Sequence, residues 1–158
     1  MKYSIMLFVF LMCFYIQTSA KEVIGWIEEV QITPENLPIR AKIDTGARHS
    51  SLHCDCRTYR KENGKTWVKL TVTNYQGKSL QLEKPVIRQA IIKRHGEKRQ
   101  VRDVIKMQIC LGNVRKEVEV NLFNREGLNY KLLIGRSFLR GSFLIDTEKK
   151  YLTKPHCK

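Results

Sequence analysis

The chain has 158 residues, with 29 Lys and Arg against 15 Asp and Glu, for a formal net charge of +14. That length suits one domain that can bury a core without a metal or extra cross-links to hold it. Such a charge favours an anionic partner. Nucleic acid is set aside because the N-terminus marks the chain for export, which leaves anionic lipid, cell-wall carboxylates and acidic peptides.

Lys2 supplies a positive charge, Ile5 to Ile16 is an unbroken apolar run, and Thr18-Ser19-Ala20 offers the small residues of a cleavage site. The run is shorter than the ~20 residues of a spanning helix, so residues 1–20 read as a secretory signal with no transmembrane anchor left after cleavage. Cys13 lies inside the run rather than at the cleavage point, so no lipid attachment is expected. The mature domain is then 21–158, periplasmic or secreted, with a charge lower than +14 by Lys2 alone. Its cysteines are Cys54, Cys56, Cys110 and Cys157. In an oxidising compartment they are disulfide candidates with three possible pairings. Cys54 and Cys56 share one face of an alternating stretch, where bonding to each other would strain the backbone. Cross-links from this pair to Cys110 and Cys157 are expected, in an order the sequence leaves open.

Pro34 and Pro38 interrupt the chain just before "AKIDTGARHS" at 41–50. Beyond it the apolar residues alternate: Val68, Leu70 and Val72; then Ile105, Met107, Ile109 and Leu111; then Val118, Val120 and Leu122. Period two is the mark of half-buried strands. Turn pairs separate them at Asn63-Gly64, Gln76-Gly77, His95-Gly96 and Gly112-Asn113. A 3.6-residue period is confined to one turn near Ser137–Arg140. The expected class is all-β, with at most one or two short helices.

Two stretches do not fit ordinary surface strands. Asp44-Thr45-Gly46 closes an apolar segment, and "LLIGRSFL" at 132–139 places Gly135 inside a buried run, where another backbone must pass close. An Asp-Thr-Gly followed downstream by a hydrophobic–hydrophobic–Gly segment is the paired signature of retropepsin-type aspartic peptidases. "VIGWIEEV", "LPIRAKIDTGARHSSLHC", "VEVNLFNREGLNYKLLIGRSFLRGSFLID" and a closing aromatic strand extend the likeness from Val23 to Leu152. Over that length the chain resembles the bacterial RimB-like family, retropepsin-like peptidases often labelled ATP-dependent zinc proteases.

The resemblance implies a small closed β-barrel and a catalytic triplet at Asp44, Thr45 and Gly46. Two carboxylates that share one proton can cut a peptide bond: one draws a proton from water while the other donates to the scissile carbonyl. Thr45 would hydrogen-bond across to fix the loop, and Gly46 would donate its N–H to a carboxylate. Leu133, Ile134, Gly135 and Arg136 would support that loop from beneath. Ala47, Arg48 and His49 would line the substrate cleft. Ile145-Asp146-Thr147 imitates a second triplet, but Glu148 stands where Gly is required, and Asp146 reads as a hairpin residue in the last strand. The second acid must then come from a second copy, in a two-fold homodimer.

His49, His53, Cys54 and Cys56 are a zinc-like set, but strand alternation sends the two His and the two Cys to opposite faces, and no His-Glu-x-x-His occurs. Gly77-Lys78-Ser79 lacks the earlier Gly of a phosphate loop, Val72 standing there instead. No metal and no cofactor are expected. His49 replaces a Thr usual in the family, and an Arg-Pro-Val step is missing near 95–105. Such changes near the cleft bear on substrate preference. Arg94, His95, Gly96 and Lys98 are expected in a basic hairpin covering the cleft, drawing in a peptide or acidic, glutamate-type chain. Two functions remain: an exported aspartic endopeptidase, or a retropepsin-fold module that binds an acidic envelope ligand without cutting it.

Overall fold

The computed structural model describes residues 20–54, 57–92 and 99–157. The proposed signal, apart from Ala20, therefore lies outside the described residues, as do Cys56 and the hairpin residues Arg94, His95, Gly96 and Lys98. The elements in order are β1 (Glu22–Thr33), β2 (Leu37–Ile43), β3 (Ser50–His53), β4 (Thr58–Glu62), β5 (Lys65–Thr73) and β6 (Ser79–Pro85). They continue with β7 (Arg88–Ile92), β8 (Gln100–Leu111), β9 (Val114–Phe123), β10 (Leu132–Ile134), α1 (Arg136–Leu139) and β11 (Phe143–Lys150). The all-β expectation holds, with one helical turn where the sequence places it.

β1, β2, β10, β3, β9 and β8 lie side by side in that order, and β8 returns to β1 at Gln31–Cys110, Ile32–Ile109 and Thr33–Gln108. These six strands close a barrel. β11 adds to β1 in parallel, β7 adds to β8, and β4, β5 and β6 form a separate antiparallel sheet. Alternation decides which side chains face in. On β2, Leu37, Ile39, Ala41 and Ile43 are buried while Arg40 and Lys42 are exposed. Ile105, Met107 and Ile109 on β8 meet Val118, Val120 and Leu122 from β9 and Leu132 and Ile134 from β10 in the core. Each fully buried aliphatic side chain contributes about 1.5–3 kcal/mol. Val68, Leu70, Val72 and Leu82 join the same core from the second sheet.

The end of the chain is tied down by a carboxylate. Glu28 is fully buried and accepts N–H bonds from Gly25 (2.5 Å), Leu152 (3.0 Å) and Thr153 (3.2 Å). Buried polar oxygens need partners of this kind.

Two expectations are corrected here. Cys110 bonds to Cys157, with Cα atoms 6.0 Å apart, rather than either joining Cys54 or Cys56. The register explains why. Cys54 follows the end of β3 paired with Phe123, while Cys110 pairs with Arg115 near the other end of β9, on the order of 20 Å away along that strand. A disulfide needs Cα atoms within about 7 Å. The C-terminal segment instead reaches Cys110 through His156 N–H bonded to Gly112 O at 2.7 Å. Asp146 does lie in the last strand, as expected, but that strand forms no hairpin. It sits in β11, parallel to β1 and opposite Gly25, and accepts the Glu148 N–H at 2.9 Å.

Candidate functional site

β2 and β3 follow each other in sequence but are not neighbours in the sheet. β10 lies between them, parallel to β2 and antiparallel to β3. The segment from Asp44 to His49 must therefore cross the end of β10, where Gly135 lies beneath it. A Cβ on Gly135 would stand 2.7 Å from both the carbonyl carbon and oxygen of His49, and 3.1 Å from Ala47 O. The backbone is extended there (φ −95°, ψ 175°), a conformation any residue adopts, so the need for Gly is steric. The close approach read from "LLIGRSFL" is this crossing.

Backbone bonds fix the crossing loop. Asp44 N–H donates to Ile134 O (2.9 Å), Arg136 N–H to Ala47 O (2.9 Å) and Ser137 N–H to Arg48 O (2.9 Å). Gly135 N–H reaches Ser50 Oγ at 3.2 Å. The Arg136 guanidinium donates through Nη1 to Thr45 O (2.7 Å) and Gly46 O (2.9 Å). Within the loop, Asp44 Oδ1 accepts the N–H groups of Gly46 (2.9 Å) and Ala47 (3.1 Å). Both bonds fall on one oxygen, which fixes the carboxylate plane. A Cβ on Gly46 would lie 3.2 Å from Asp44 Oδ1, a tight contact. Thr45 is exposed in the single chain.

A cavity of about 510 Å³ opens beside Asp44. Its floor is a cross-strand row: Leu133 pairs with Ser51, Ser51 with Asn121, Asn121 with Val104, and Val104 with Arg88. Five strands thus present one row of side chains to the cleft. The walls add Arg48, His49, Arg102 and Arg125. Asp44 is the single carboxylate among the described lining residues.

The arginines are held by the framework. Arg102 is buried against the Phe123 ring, 3.7 Å from its centroid, and donates to Asn121 Oδ1 (3.1 Å) and Gln100 Oε1 (2.7 Å). Arg125 is buried, donating to Tyr130 O at 3.1 Å, while its N–H donates to His53 Nδ1 at 2.8 Å. Arg88 pairs with Glu119, whose carboxyl it holds below the usual range. His49 Nδ1 is 3.6 Å from the same Glu119 carboxylate. Burial nevertheless lowers the His49 pKa, with Arg88 and Arg48 acting in the same direction and Glu119 opposing them.

Of the residues singled out in the sequence, Asp44, Gly46, Ala47, Arg48, His49 and Leu133 border this cavity. Ile134, Gly135 and Arg136 lie under or beside the loop, and Thr45 on it. Cys110 and Cys157 lie at the far end of the barrel. β7 and β8 form an antiparallel hairpin from Arg88–Val104 to Ile92–Gln100, and both strands border the cavity. Sequence reasoning missed Ser51, Arg88, Asn121 and Arg125. Period two marks which of the strand residues face away from the core, but only the sheet order brings β3, β7 and β9 to one cleft, with Arg125 added from the loop after β9.

The family model described as retropepsin-like aspartic endopeptidase RimB matches residues 23–156. The chain belongs to the RimB-like family. Its fold is also that of a Legionella pneumophila protein whose crystal structure is described as of unknown function, with a TM-score of 0.71 and 28% identity over 85% of this chain and 100% of that one. A "probable alpha-L-glutamate ligase" from Shewanella pealeana is 32% identical over 117 residues, 72% of this chain and 25% of that protein. One of the same description from Desulfotalea psychrophila is 29% identical over 135 residues, 82% of this chain and 29% of that protein. This RimB-like chain thus spans about a quarter of the length of those curated relatives. Among the described residues no helix is long and apolar enough to cross a membrane.

Proposed function

We propose that the chain is an exported aspartic endopeptidase, active as a two-fold homodimer, that cuts acidic peptides or glutamate-type adducts. The observation that carries it is the Asp44 carboxylate, pinned by two loop N–H groups at the mouth of a cavity whose other charged walls are arginine and histidine. In a dimer the Asp44 of one protomer would meet its copy across the axis. Two carboxyls that close share one proton, so one activates water while the other protonates the carbonyl oxygen. The exposed Thr45 would bond across the same axis. The arginines would offset the repulsion between an acidic chain and the dyad. Export draws support from the N-terminal apolar run and from the Cys110–Cys157 bridge, since disulfides persist in oxidising compartments.

Substrate choice draws further support from the relatives. A domain like this one sits within proteins named as glutamate ligases, which favours a glutamate-containing chain as its target. The single carboxylate among the described residues lining one protomer's cavity favours a second reading, an acidic-ligand module that binds without cutting if no dimer forms.

Sedimentation together with mass-spectrometric cleavage of oligoglutamate and neutral peptides separates the two. Dimerisation with cleavage that Asp44→Asn abolishes, at unchanged circular dichroism, is the expected result. Cleavage that survives Asp44→Asn but falls with a chelator would replace this mechanism with a metal-dependent one.

A further inference from the structure

The outer face of β2 carries charge that the Asp44 cleft does not account for. Successive side chains alternate along a strand, so Arg40 and Lys42 share the exposed face, about 7 Å apart, and Asp44 lies just past the strand's end at Ile43. On the neighbouring strand Leu133 pairs with Lys42, and Leu132 pairs with Ala41, which puts Lys131 beside Arg40. Leu133 borders the Asp44 cavity, while Lys131, two residues earlier on the same face, borders a second cavity of about 420 Å³. The cleft and the second cavity are therefore successive stations along one pair of strands.

The second cavity is built around Arg40. Its guanidinium lies 4.0 Å from the centroid of the Tyr75 ring and 5.5 Å from that of Tyr151. Stacking fixes the guanidinium plane and leaves its N–H edge to meet a carboxylate in two-pronged fashion. Several other cations are ion-paired. Arg60, Lys84, Arg88, Lys106 and Lys149 each face an acidic side chain. Among the described residues, Arg40, Lys42 and Lys131 have no carboxylate within ion-pair distance. Glu29, the cross-strand neighbour of Arg40, is engaged by the Tyr75 hydroxyl at 2.5 Å.

We infer that this stripe is an extended subsite for the same acidic chain, which leaves the Asp44 cleft along β2 and sets carboxylates on Lys42 and then on Arg40 with Lys131. The inference rests on the acidic substrate proposed above. Same-side residues of an extended peptide recur about every 7 Å, the pitch of Arg40 and Lys42 along β2. An acidic chain can then keep step with the cations, which a compact acidic ligand cannot. The stripe would favour long acidic chains over short ones by adding contacts remote from the scissile bond.

The test uses the full chain carrying Asp44→Asn, so that nothing is cut, and a fluorescein-labelled twelve-residue oligoglutamate titrated at about 0.05 M salt, where screening is weak. Arg40→Gln with Lys131→Gln should weaken binding roughly tenfold, as expected for two well-placed ionic contacts. Lys61→Gln on β4 with Lys65→Gln at the start of β5 removes the same charge at the end of that hairpin away from Tyr75, and should change affinity less than about twofold. Equal weakening by both pairs, no weakening by either, or no binding of the peptide at all would overturn the subsite. The outcomes stay separate from catalysis. Stripe-dependent binding by a wild-type protein that cuts nothing would sink the peptidase and leave the subsite, and cutting of acidic peptides indifferent to Arg40 and Lys131 would do the reverse.

Discussion

Replacing Gly135 with Ala tests the packing that places the candidate catalytic loop. The new Cβ would stand 2.7 Å from the His49 carbonyl carbon and oxygen, whereas ordinary contacts begin at 3.4 Å. Both neighbours are backbone, so no side chain can swing aside. The loop and β10 must separate by about 0.7 Å, and overpacking of this kind costs ~1–3 kcal/mol. The separation strains the bonds that span the crossing, Gly135 N–H to Ser50 Oγ and Arg136 N–H to Ala47 O, each worth ~1 kcal/mol. Since φ is ordinary at this position, no conformational penalty adds to these terms. The expected loss is about 2–4 kcal/mol out of the 5–15 kcal/mol typical of a domain. In urea, with m of about 1–3 kcal/mol/M, the unfolding midpoint should fall by roughly 1–2 M. Equilibrium unfolding followed by tryptophan fluorescence measures this. A midpoint within about 0.2 M of wild type would mean that the loop does not cross β10 as described.

Further outcomes follow from the same contacts. Arg136→Gln removes the guanidinium bonds to Thr45 O and Gly46 O; it should cost only ~1 kcal/mol of stability, seen as a small drop in Tm, yet lower cleavage of acidic peptides at least tenfold by loosening the loop. His49 should titrate below its ordinary value of 6.5 in a ¹H NMR titration, and Glu119→Gln should lower it further by removing the opposing charge. A depressed histidine pKa means that the fold prefers the neutral ring, so this contribution is present above pH 6.5 and declines as pH falls below it. Digestion of unreduced protein should yield a Cys110–Cys157 cross-linked peptide, and removing the bridge by Cys110→Ala with Cys157→Ala should cost ~2–4 kcal/mol in urea unfolding.

The barrel and its loop were legible because each rests on a local signal. Period two shows in β5, β8 and β9, and the turn pairs at Asn63-Gly64 and Gly112-Asn113 fall between strands the structure contains. Gly135 was legible because a missing side chain inside a buried apolar run signals that a second backbone passes close to it. What stayed hidden depends on which strands become neighbours. Arg125 sits in a loop with no motif around it, and it reaches the cleft only because β3 pairs with β9 and brings His53 beside it. The cysteine pairing failed for a related reason. Alternation gave the face of Cys54, but not its distance along β9 from Cys110.

The order of strands also explains why the described residues of one protomer's cleft offer a single acid. A loop that joins β2 to β3 over an intervening β10 is a local device, made by one Asp-Thr-Gly and by the Gly135 that follows β10. Making a second site in the same chain would need both parts again, and the imitation at Asp146 has neither. Asp146 lies inside β11, paired in parallel with β1, and its carboxylate is turned onto the Glu148 N–H rather than onto a loop glycine. Among the described residues no strand passes between β11 and a following element to hold it against, because the chain there runs on to Glu28 and Cys110. The last strand therefore serves to close the fold. The proposed two-acid chemistry at Asp44 would accordingly need a second copy of the chain, which makes oligomeric state the property on which the proposed catalysis turns.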